Sequence, residues 1–85
     1  MRIAALIATL SLAPAAAFAA APPADALKLS EIVAKVEAHA AADLAYVDEV
    51  DWDDDGYWKV EYKTQTGAEV DLRVDPVSGA VTPKN

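Results

Sequence analysis

Eighty-five residues carry fourteen aspartates and glutamates against seven lysines and arginines, a net charge of −7, with no cysteine among them. That balance argues against nucleic acid and anionic membrane surfaces, whose attraction depends on Lys and Arg, and it excludes disulfides. What remains is one small domain held by packing alone, since folding a chain of this size buries only about 60% of its surface.

Residues 1–19 read as a signal peptide. Arg2 gives a positive start, an apolar run follows from Ile3 to Leu12, and Ala17-Phe18-Ala19 has the A-x-A form of a cleavage site. The expected cut lies near Ala19/Ala20, with a position after Ala21 as fallback, and it makes the chain periplasmic or secreted with no membrane anchor. As a retained span the stretch is marginal, because Thr9, Ser11 and Pro14 interrupt it and a bilayer needs about 20 apolar residues. Cleavage removes Arg2, leaving six basic residues against fourteen acidic ones, a net charge of −8. Residues 20–28 read as an extended lead-in, because Pro22 and Pro23 cannot enter a helix interior.

Residues 29–44 have helical spacing. Ser30 is placed as the N-cap, with Glu31 beside the positive end of the helix dipole. Ile32, Val33, Val36 and Ala40 form the apolar stripe, and the helix is expected to end near Ala42 or Asp43. His39, with no cysteine or second histidine to share a metal, reads as a surface residue.

After Leu44 the period changes to two. Val50, Trp52, Trp58, Val60, Tyr62, Val70, Leu72 and Val74 occupy even positions, while the odd positions between them are mostly charged. This predicts three antiparallel strands with one dry and one wet face. Opposed residues must share a face, so the loops between strands must have odd length. Loop Asp54-Asp55-Gly56 pairs Trp52 with Trp58, and loop Gln65-Thr66-Gly67 pairs Tyr62 with Val70. Each puts a glycine in the slot that needs a left-handed backbone.

The stretch Asp51-x-Asp53-x-Asp55-Gly56 also has the opening pattern of a calcium loop. Counting from Asp51, however, the twelfth residue is Tyr62 where a bidentate glutamate is normal, and Glu61 falls one place short. A solvated acidic turn is therefore the primary reading, with calcium held by Asp51, Asp53 and Asp55 as the alternative; no other cofactor is indicated. Enzyme constellations are missing: Ser30 and Ser78 have capping or turn roles and no base, and carboxylates on an exposed strand lack the pocket that would split their pKa values.

The order of helix, strand and two hairpins, ending in Val70-Asp-Leu-Arg-Val-Asp75-Pro-Val-Ser-Gly79-Ala-Val81, resembles a PepSY domain. The resemblance spans residue 29 to about residue 82, within a domain taken as residues 29–85. It implies an α+β fold with one helix on the sheet. It also implies a non-catalytic module of the kind found in propeptides of thermolysin-like metallopeptidases and in small exported proteins, proposed to restrain peptidases by binding. Asp75 and Gly79 are turn residues on this reading, like Gly56 and Gly67: the aspartate accepts backbone N–H groups and the glycine supplies a positive φ. The expected partner is an exported peptidase or another basic protein. It would be met by Tyr57, Asp51 and Asp53 on the wet face, or by the free edge of a leading strand at residues 46–53.

Overall fold

The computed structural model describes residues 21–84. Helix α1 (Leu29–Ala40) is followed by a single 3₁₀ turn (Ala41–Asp43) and by strands β1 (Leu44–Asp53), β2 (Tyr57–Thr64), β3 (Glu69–Val74) and β4 (Val81–Pro83). The strands form one antiparallel sheet in the order β1-β2-β3-β4. The α+β class agrees with the sequence reading, but there are four strands among the described residues and not three. Strand β4 pairs Val74 with Val81 and Leu72 with Pro83. The proposed leader lies outside the described residues, and no helix among those described is long and apolar enough to cross a membrane.

The hairpin register follows the parity argument. Trp52 pairs with Trp58, Val50 with Val60 and Asp51 with Lys59 across the first turn. Trp58 pairs with Val74, Val60 with Leu72 and Tyr62 with Val70 across the second. Gly56 and Gly67 both have positive φ, 102° and 88°. At the second turn the Thr64 hydroxyl accepts the Ala68 N–H at 3.0 Å, which satisfies a buried polar side chain.

Parity fails in the first half of β1. The partner sums shift at Ala45 and again at Asp48, so each is an extra residue opposite a continuous β2. Two bulges make every third residue point inward. Leu44, Val47 and Val50 are half-buried and the residues between them exposed.

The core is one layer between helix and sheet. Ile32, Val36 and Ala40 form a single row at i, i+4 and i+8, and pack with buried Val60, Tyr62, Leu72 and Val74. Full burial of Ile32 and Val36 contributes about 1.5–3 kcal/mol each. Val33, read as part of the stripe, is only half-buried.

Both helix ends differ from the sequence reading. The N-cap is Lys28 and not Ser30. A lysine side chain has no acceptor to offer the first turn, so only half a capping box forms: the Lys28 N–H donates to the Glu31 carboxylate at 2.9 Å. The start is set from outside the helix, where the Leu27 N–H donates to the Pro76 carbonyl at 2.8 Å. Leu27 packs against the core, so the lead-in is anchored at its last residues. At the other end the helix stops at Ala40, and Ala41 turns the chain with φ 49° and ψ −125°. Gln65 ties this corner to the second turn, its N–H donating to the Asp43 carbonyl and its side-chain amide to the Leu44 carbonyl.

Candidate interaction surface

The core covers only one side of the sheet, leaving the outer face as a charged grid set by the pleat. One row runs Asp51, Lys59, Arg73 and Thr82: Asp51 faces Lys59 favourably, while Lys59 and Arg73 set two cations side by side. The next runs Glu49, Glu61 and Asp71, three carboxylates side by side. Beyond it Lys63 pairs with Glu69 at 3.1 Å and approaches Glu61 at 3.9 Å. A shallow depression of about 140 Å³ opens over the middle rows, lined by Glu49, Lys59, Glu61, Asp71 and Lys84.

The central carboxylate is perturbed by this arrangement. Burial at the centre of the sheet, a side-chain hydrogen bond with Asp48 and the nearby charge of Glu69 push the Glu61 carboxyl up to about 7. Asp48 reaches Glu61 because it is the bulged residue of β1. Glu49 is raised as well, chiefly by its hydrogen bond with Asp51. The Lys63 ammonium is raised by its bond to Glu69.

The residues singled out from the sequence fall at distinct places. Tyr57 is half-buried, with the Arg73 guanidinium stacked 4.6 Å from its ring centroid, a cation–π contact of about 0.5–1 kcal/mol. Asp51 is exposed opposite Lys59. Asp53 ends β1, and its Oδ1 accepts the Asp55 N–H at 2.9 Å, which holds its pKa below the usual carboxylate value.

Asp51, Asp53 and Asp55, the trio of the calcium alternative, are not gathered round a common centre. Asp53 is spent on the turn and Asp51 on Glu49. The carboxylates that do converge are Glu61, Glu69 and Asp71, with ligand oxygens within 4.8 Å of one another. One of them already binds Lys63. Sequence reading did not draw this trio, although the predicted pairing of Tyr62 with Val70 already sets Glu61 opposite Asp71; it missed the Asp48–Glu61 contact because that depends on the position of the bulge.

Asp75 and Gly79 build the turn between β3 and β4. The Asp75 Oδ1 accepts the N–H groups of Val77 and Ser78, both at 2.9 Å. Those bonds hold its pKa down, with the Ser78 N–H first. Gly79, at φ 77°, is buried beneath the start of the helix, and a Cβ there would lie 2.9 Å from Lys35 Cε and 3.0 Å from Leu27 Cδ1. This turn therefore seats the helix and lead-in on the sheet.

Among the described residues, one helix lies against a four-stranded antiparallel meander with a charged outer face, the arrangement of a small α+β module. A family model described as peptidase propeptide and YPEB domain matches residues 3–85, and the chain belongs to that family, PepSY. The family is of the propeptide type and not a catalytic one. Comparison with curated proteins and with solved structures gave no match.

Proposed function

We propose that this chain is an exported binding module that engages a peptidase by protein–protein contact and restrains it. Membership of the peptidase-propeptide family over residues 3–85 carries the reading. Two further features support it. The outer sheet face is charged and open, and among the described residues β1 is an edge strand of the sheet, a position from which strands can engage extended polypeptide. Export is supported by the signal-peptide pattern of residues 1–19. The acidic balance favours a partner with a basic docking surface.

The test has two arms. The tagged chain is used to capture partners from an extract of the exported proteins, with bound peptidases identified by mass spectrometry. Any peptidase recovered is then assayed against rising concentrations of the purified chain. Dose-dependent loss of its activity supports the proposal; an extract that yields no peptidase, or a captured peptidase whose rate does not change, sinks it. N-terminal sequencing of the mature protein checks export, with Ala20 or Pro22 expected as first residue.

A further inference from the structure

Strand β1 is held to its neighbour unevenly. Residues 49–53 pair with β2 one for one, but in residues 44–48 the bulges at Ala45 and Asp48 interrupt the ladder. A bulged residue has no cross-strand partner and weakens the pairing around it. The inner side of this half contributes only Leu44 and Val47, both half-buried at the margin of the core. Its start is tied by Gln65, through the Asp43 and Leu44 carbonyls. Segments with few buried apolar contacts and a broken ladder are those that open locally before a domain unfolds as a whole.

The other end of this half is fastened by a different kind of contact. The Asp48 side chain reaches across the outer face to a hydrogen bond with the Glu61 carboxyl of β2. An ionised carboxylate can only accept, so two carboxyls bond to each other only through a proton that one of them keeps.

The surroundings explain why it is kept. Glu61 has Glu49 opposite it on β1 and Asp71 opposite it on β3, and one oxygen each of Glu61, Glu69 and Asp71 lie within 4.8 Å of one another. The cations do not balance this crowd. Lys63, on the same strand, is bound to Glu69 at 3.1 Å and stands 3.9 Å from Glu61. Lys59 is paired across the strands with Asp51, and with Lys84 it lines the depression beside Glu61. Where carboxylates are packed this closely, one member of the group holds a proton well above its ordinary range.

We infer that Asp48 and Glu61 share one proton and that this proton is a latch, holding residues 44–48 of β1 on β2 while it is bound and letting them open when it is lost. The change is a proton transfer alone: the shared carboxyl proton passes to water, and two carboxylates are left facing each other across the bulge. Their repulsion falls on the least anchored part of the sheet, while the regular pairing of residues 49–53, and of β2 with β3, stays in place. With the Glu61 carboxyl pushed up to about 7, the latch is closed in mild acid and opens as pH rises through that value. The fold thereby carries a local response to pH that is distinct from a change in its overall stability.

The full chain tests this between about pH 5.5 and about pH 8, by carbon NMR of the side-chain carboxyls and by amide hydrogen exchange corrected for the intrinsic rate at each pH. Glu61 is expected to titrate near neutrality, with Asp48 responding in the same range. Protection of the amides that join residues 44–48 to β2 should fall about tenfold over this interval, while the amides joining β2 to β3 keep theirs. Glu61→Gln should remove the response. Asp48→Asn, whose amide can donate to an ionised Glu61, should lower the Glu61 titration and cut the response to about threefold or less. Glu69→Gln leaves the pair intact and should keep most of it.

In the parent chain alone, a Glu61 carboxyl that titrates in the ordinary range, protection that does not change with pH, or a loss spread evenly over the sheet would each overturn the latch. So would a titration and an exchange profile that Asp48→Asn leaves as they were, since the proton would then belong with Glu69 and Asp71.

Discussion

The Trp52 and Trp58 rings meet across the first hairpin edge to face, with centroids 5.2 Å apart and planes at 70°. Both are half-buried, and Trp58 packs on the core while its indole Nε1 is buried without a hydrogen-bond partner. Edge-to-face pairs contribute about 0.5–1.5 kcal/mol beyond area burial. A double-mutant cycle to alanine should therefore return a coupling of about 1 kcal/mol. Trp58→Ala alone should cost about 3–5 kcal/mol. Trp58→Phe should cost far less than that, because it also removes an unpaired buried donor whose desolvation costs about 1–3 kcal/mol. Urea denaturation of the four variants measures all of these, and a Phe variant as damaged as the Ala variant would show that the indole N–H has a partner.

Gly56 and Gly79 both have positive φ, but only Gly79 has neighbours within reach of an added Cβ. Gly56→Ala should thus cost only the left-handed backbone penalty of about 1–2 kcal/mol. Gly79→Ala adds the displacement of Lys35 and Leu27, and should cost about 1 kcal/mol more. The extra loss should disappear in a Lys35→Ala background if the lysine stem is what is crowded. Equal costs at the two glycines would mean that the helix start yields freely.

What the sequence disclosed and what it hid have separate physical causes. The pairing of residues 49–74 was legible because a period of two, two glycines and odd loop lengths constrain one another. The same parity carried no information upstream of Glu49, where no turn anchors the register and the bulges at Ala45 and Asp48 reset it. β4 escaped because Val81, Thr82 and Pro83 are too few to show alternation, and a proline there argues against a strand. Ser30 was the better N-cap by side chain, yet Lys28 holds the position because the Leu27–Pro76 bond fixes where the chain enters the helix. On the outer face, the identities of the charges were readable, but the meeting of Asp48 with Glu61 depends on a bulge that no local pattern announces.

Ala41 is the one non-glycine residue with positive φ among those described, at 49°. The chain leaves the helix there and must reverse within three residues to enter β1. A β-carbon is disfavoured in that conformation by about 1–2 kcal/mol, while glycine in the unfolded chain costs up to about 1 kcal/mol of added entropy. Ala41→Gly is therefore expected to be neutral to stabilising by about 1 kcal/mol, where glycine elsewhere in the helix, as in Ala38→Gly, should destabilise by a similar amount. Thermal melts of the two variants decide the matter, and a marked loss at Ala41 would mean that its backbone is not strained.

Glu61 makes stability depend on pH in a direction unusual for an acid. Its carboxyl titrates near 7 in the folded chain against an ordinary 4.5, so between those values the folded state holds a proton that the unfolded state has released. Stability from this group is fully present below the lower value and is lost as pH rises through the higher one. Glu49, also raised, acts in the same sense. Asp53 and Asp75 act oppositely, because their carboxyls are held below the usual 3.8 by backbone N–H groups; their contribution is lost as pH falls through that region. The melting temperature should therefore peak in mild acid and decline toward pH 8. Glu61→Gln keeps the shape of the protonated acid and carries no charge. It should flatten most of the decline between pH 5 and 7.5, leaving a shallow slope from Glu49, and should melt above the parent chain at pH 8. A variant whose melting profile runs parallel to the parent would place the neutral-range proton on a group other than Glu61.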